Sequence, residues 1–277
     1  MLEALTALLK IALYAGLLSS SGAVFAQATL RPLPDEWTQL ARLGRLGSVL
    51  ILVTCPLLVV LLILRLSGEF DEATLSAVFL SNTGAALCLQ MTGAALLLIS
   101  SSEDDSSVVR LSYAMLPMLS FAFSGHAAGV SPVDGSVAVV HVSLAGWWLG
   151  SLFFLRRACV NSQIDRVVTV VTRFSTMALI LTGVLVIAGL VLVMILIDFS
   201  KDPWLSPYGW ILATKLSVVA ILLAVAGYNR RRLTPRLLAR DSSAMGALRT
   251  TINVELLLIG LILTITAILT TYSSPPD

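Results

Sequence analysis

The sequence predicts an all-α polytopic membrane protein, a single bundle of eight transmembrane helices over residues 1–277 with both termini on the outer side. Three observations carry that prediction. Hydrophobic residues make up 57% of the chain and charged residues only 12%, against roughly 25% charged in a soluble globular domain. Apolar runs of about 20 residues recur, each long enough to cross roughly 30 Å of hydrocarbon at 1.5 Å per residue. The runs show no period-two alternation, so backbone groups in lipid are satisfied within helices rather than around a barrel.

In chain order the runs cover residues 2–26, 43–66, 74–100, 108–124, 137–155, 174–197, 208–228 and 251–272. The first carries Ala26-Gln27-Ala28, similar to a small-x-small cleavage site, but nothing basic precedes Lys10 to form the n-region of a cleavable signal. It is expected to be retained as a span. The third carries Ser76, Ser81, Asn82, Thr83, Gln90 and Thr92, which predicts burial against other helices rather than lipid.

Arginine placement orients the bundle. With eight spans, one side collects Arg31, Arg42, Arg45, Arg110, Arg156, Arg157, Arg166, Arg173, Arg230, Arg231, Arg232, Arg236, Arg240 and Arg249, fourteen of the eighteen basic residues. Only Arg65 and Lys201 fall opposite. The rich side is predicted to be cytoplasmic. A net charge of +2 gives no reason to expect nucleic acid as a partner, and membrane lipid is the expected surroundings. Three cysteines, each in or at the end of an apolar run, predict no disulfide framework.

Both histidines of the chain, His126 and His141, flank the external turn between the fourth and fifth runs. Neutral imidazole is the commonest protein metal ligand, so the pair is the candidate metal site, with His141 expected about one turn into its helix. Asp134 in the connecting segment and Met194, near the outer end of the sixth run, are candidate additional ligands. Met115 and Met118 precede His126 by eleven and eight residues, roughly 16 and 12 Å along a helix, too far to share its ion. Met118, Asn82 and Gln90 are candidate polar or soft steps of an inward path, and Cys55 and Cys88 a candidate mid-membrane pair around a soft ion. Lys215 and Glu255 are intramembrane ionisable groups that need a partner or a purpose; their depths differ by around 12 Å, which argues against direct pairing. Trp147 and Trp148, six and seven residues after His141, are candidate aromatic cover.

These residues form a pattern that resembles the CopD family of bacterial inner-membrane copper proteins, most clearly over residues 108–272. Gly125-His126-Ala127, then His141 followed by Trp148-Leu149-Gly150, are similar to the family's paired histidine motifs. Arg173-Phe174-Ser175, Thr182-Gly183, Tyr208-Gly209 with Leu212, Lys215 and Leu216, Asn229-Arg230 and Val254-Glu255 follow in the family's order. The resemblance implies copper uptake or resistance in the inner membrane, with copper as Cu(I) or Cu(II) captured on the periplasmic side. It also implies a CopC-like periplasmic copper chaperone as partner, which here would be a separate protein.

Two other readings use the same residues. The histidines could be axial ligands of one haem b in a redox protein, or the chain could be a membrane scaffold that holds no metal. No phosphate-binding loop, nucleophile elbow or acidic pair is visible, so no enzyme activity is expected.

Overall fold

The computed structural model describes residues 2–66, 68–100, 106–123, 132–197 and 206–272. All regular structure among them is helical: α1 (Leu2–Leu30), α2 (Pro34–Leu66), α3 (Glu72–Phe79), α4 (Asn82–Ile99), α5 (Ser107–Leu119), α6 (Pro132–Asn161), α7 (Ile164–Leu196), α8 (Pro207–Tyr228), α9 (Thr234–Leu238) and α10 (Ser242–Tyr272). A 3₁₀ turn (Ser120–Ala122) extends α5, and a π-helical segment (Asn229–Leu233) joins α8 to α9.

Seven helices among the described residues are long and apolar enough to cross a membrane. The expected fourth span is instead a shorter apolar helix, Ser107–Ala122. Sixteen residues reach roughly 24 Å, short of the hydrocarbon thickness. The third run is not one helix either. It breaks at Leu80, where α3 ends, and Ser81 caps α4 by accepting from Gly84 N at 3.1 Å. Local serine capping competes with helix continuation here. A Cβ on Gly84 would lie 2.3 Å from Val78 O, so the corner requires glycine.

Helix α1 is the central post, packed against α2, α5, α6 and α10. Its approach to α6 is backbone to backbone. A Cβ on Gly22 would meet Gly146 O at 2.1 Å, and one on Gly150 would meet Gly22 O at 2.1 Å. This is the small-residue contact that lets membrane helices pack without an aqueous hydrophobic drive.

The arginine-rich helix ends gather at one end of the bundle. Arg166 bonds Glu36 at 3.1 and 2.5 Å, Arg173 Nε donates to Thr29 O at 2.6 Å and Arg240 pairs with Asp165 at 3.0 Å. Arg110 donates to Gln27 Oε1 at 2.6 Å and stacks over Trp37. At the opposite end Arg65 approaches Glu3 at 3.6 Å, and Lys10 Nζ donates to Thr270 O at 2.7 Å. These contacts set the arginine-rich helix ends apart from the end that holds Arg65 and Lys10.

Candidate metal site

Helix α6 begins at Pro132, five residues before the apolar run that marks it in the sequence. His141 therefore lies nine residues into the helix, roughly 14 Å from its start, not one turn. The run begins late because Asp134 and Ser136 interrupt apolarity without interrupting helix, and Asp134 in the first turn suits the positive end of the helix dipole. His126 lies outside the described residues.

His141 turns toward α7. Its Nδ1 stands 3.2 Å from Leu185 O. A carbonyl only accepts, so Nδ1 carries the proton and, in the neutral ring, Nε2 carries the lone pair. No described residue bonds Nε2. The ring fits because α7 has Gly189 beneath it, where a Cβ would lie 3.0 Å from His141 Cε1 and 3.3 Å from Nδ1. Lys215 of α8 stands near enough to act on His141 electrostatically and forms no hydrogen bond or ion pair with a described residue. Its depth agrees: eight residues below Pro207 is roughly 12 Å.

The other candidates are dispersed. Asp134 shares the His141 face of α6 but lies seven residues away, roughly 10.5 Å along the axis. Met194 is 70% exposed, and at five residues past Gly189 it points about 140° away from the His141 side of α7. Asn82 is exposed at the start of α4, whereas Gln90 and Met118 are buried together. Cys88 is exposed and Cys55 fully buried, so the two do not share a site. Among the described residues, no three His, Cys, Asp or Glu side chains stand close enough to hold one metal ion.

Deeper in the bundle, Trp147 and Trp148 are engaged elsewhere. Trp147 donates to Thr29 Oγ1 at 2.9 Å and stacks on Phe174 at 5.5 Å between centroids. Trp148 donates to Glu255 Oε2 at 3.2 Å, while Asn229 Nδ2 donates to Glu255 Oε1 at 2.5 Å. Glu255 is 2% exposed, and Lys215 is not its partner. This three-helix network escapes a sequence reading, although Asn229-Arg230 and Val254-Glu255 stand among the family motifs. Asn229 opens the π-helical segment, a distortion that concentrates at functional positions.

Two family models match the chain. The copper resistance protein D-like N-terminal domain matches residues 1–137, and the copper resistance protein D model matches residues 168–269. The chain belongs to the CopD family. The second match contains Leu185, Gly189, Lys215, Asn229 and Glu255, so the CopD region supplies His141's neighbours and the buried carboxyl. Searches of curated proteins and of solved structures each gave no match. The long apolar helices and CopD membership together make this a multi-pass membrane protein of the copper resistance class.

Proposed function

We propose that the chain captures copper on the periplasmic side of a bacterial inner membrane at His126 and His141 and passes it toward the cytoplasm. In this reading the Ser107–Ala122 helix counts as the eighth span, and both termini are periplasmic. The arginine-rich end then faces the cytoplasm, in line with the positive-inside rule.

The observation that carries the reading is His141 itself. Among the described residues its ring is held through Nδ1 alone, in a CopD-family bundle, with Nε2 left for a ligand. An imidazole fixed by a second hydrogen bond on its other nitrogen is the usual arrangement of a metal-ligating histidine. Met194 and Asp134 do not converge on it, so His126 is the partner ligand this proposal names. A CopC-like protein would deliver the copper from outside, and the chain is proposed as a carrier rather than an enzyme.

Metal analysis of the purified full chain tests the proposal. Copper bound by wild type and lost in H126A/H141A supports it. An intense Soret band that disappears in the same variant would replace copper with haem b. Unchanged copper content in the double variant, or neither metal in wild type, overturns the histidine site.

A further inference from the structure

Glu255 of α10 is buried between two neutral partners, Trp148 of α6 on Oε2 and Asn229 on Oε1. Trp148 belongs to a buried apolar cluster with Leu152, Leu233 and Ile252, and Ile252 lies one turn from Glu255 on α10. No ion pair joins Glu255 to a described residue. A carboxylate buried in such surroundings without a cation is costly.

The titratable groups on the elements around it are engaged elsewhere or stand apart. Arg156 of α6 donates to Asn253 Oδ1, Arg230 to Ser175, Arg173 of α7 to Thr29 O, and Arg236 of α9 to Asp241. Asp165 of α7 pairs with Arg240, and Arg249 and Tyr228 are exposed. Lys10 and Tyr14 of α1 bond Thr270 at the opposite end of the bundle. Lys215 precedes Asn229 by fourteen residues and Cys159 follows Trp148 by eleven, roughly 21 and 16 Å along their helices.

The amide supplies a second observation. Asn229 is 8% exposed, and its Oδ1 is buried with no hydrogen-bond partner. Its Nδ2 stands 2.5 Å from Glu255 Oε1, closer than the about 2.7–3.2 Å usual for N–H···O and within the about 2.5–3.0 Å usual for O–H···O. A half-turn about the Cβ–Cγ bond exchanges the two ends of the amide. Oδ1 then faces Oε1, and two oxygens at that separation need a proton between them.

We infer that Glu255 and Asn229 form a proton-binding site inside the helix bundle. Binding forms one O–H bond on Glu255 Oε1, with the proton taken from solvent. That proton is donated to Asn229 Oδ1, while Trp148 Nε1 continues to donate to Oε2. No other bond is made or broken, and nothing is oxidised or reduced. Release returns the proton to solvent, and the amide turns back to donate through Nδ2. A proton fits where a metal cation does not: hard cations take about six or more oxygens, and Glu255 is the one carboxyl in this network. Asn229 opens the π-helical segment, so loading and unloading reorganise the residue at which the helix is distorted. An ionisable group at this depth in a span calls for such a purpose. The inference uses neither copper nor a histidine.

Infrared difference spectroscopy of the purified full chain in detergent, acidic against alkaline buffer, tests it. Wild type is expected to gain the C=O stretch of a buried protonated carboxyl on acidification, shifted in D₂O and missing from E255Q. Glutamine keeps the side chain's size and donates to Asn229 Oδ1, so E255Q should fold, as thermal unfolding will show. N229L leaves the acid proton without its acceptor and should move the band to the higher frequency of a free acid. W148F removes the donor to Oε2 and should also shift the band, which assigns it to Glu255 independently of E255Q. A carboxyl band that E255Q and W148F both leave unchanged, or the lack of any such band, overturns the proton site. A band in N229L identical with that of wild type overturns the role of the amide as the proton's acceptor, and with it the two-residue site.

Discussion

His141 Nδ1 in α6 donates to Leu185 O in α7 at 3.2 Å, and Gly189, one turn further along α7, leaves the space in which the ring lies. The pair fixes both the tautomer and the plane of the imidazole. In G189A the new methyl would sit 3.0 Å from Cε1, so the ring must shift and the Leu185 bond must lengthen. Copper affinity at the proposed histidine site is expected to fall about tenfold or more, the usual cost of disturbing a ligand's supporting contact. Equilibrium copper titration of G189A beside wild type, with thermal unfolding as a folding control, checks this; unchanged affinity would show that the glycine does not position the ring.

The spans are legible in the sequence because length and apolarity are local properties. Helix rotation is not. A helix such as α8, apolar on nearly every side, gives no sign that Lys215 lies near enough to His141 to act on it electrostatically, and nothing around Leu185 marks its carbonyl as a partner. The same limit separates Met194 from His141: neither that it stands five residues beyond the glycine beneath the ring nor that it faces about 140° away is readable. Depth itself fails where polar residues hide a helix start, as Asp134 and Ser136 do for α6. The break at Leu80 was masked because Ser81 reads as one more polar residue in a buried helix rather than as a cap.

Glu255 is held by Trp148 on one oxygen and Asn229 on the other. Removing a partner of a buried polar group leaves it unsatisfied, at a cost of about 1–3 kcal/mol. N229A and W148F should each lower the thermal unfolding midpoint, and N229A/W148F should depart from additivity because both act on one carboxyl. Strict additivity in a double-mutant cycle would refute coupling through Glu255.

The α1–α6 contact predicts a sharp contrast between glycines. G22A and G150A each place a methyl 2.1 Å from a carbonyl oxygen, so the helices must separate, at about 1–3 kcal/mol for overpacking. Gly183 faces open space, and G183A should be neutral or slightly stabilising, since alanine is the better helix former. Unfolding of the three variants in one detergent compares them directly; a neutral G22A would contradict the close approach.

At the arginine-rich end, Asp241 caps α10. Its Oδ1 accepts from Ser243 N at 2.9 Å and Ser243 Oγ at 2.6 Å, and its Oδ2 accepts from Arg236 Nε and Nη2 at 2.9 and 2.7 Å. The serine hydrogen bond first, then the guanidinium, hold its carboxyl down at about 2. A depressed folded-state pKa means the contribution to stability is fully present above the ordinary value of 3.8 and is lost as pH falls through about 2. D241A should therefore unfold at a lower temperature than wild type at neutral pH. The difference should hold down to about pH 4 and shrink between there and about pH 2, as the wild-type carboxyl takes up its proton. R236Q should reproduce only part of the loss, because the Ser243 bonds remain. A D241A deficit that stays constant across the acid range would show that the carboxylate's charge is not what holds this cap.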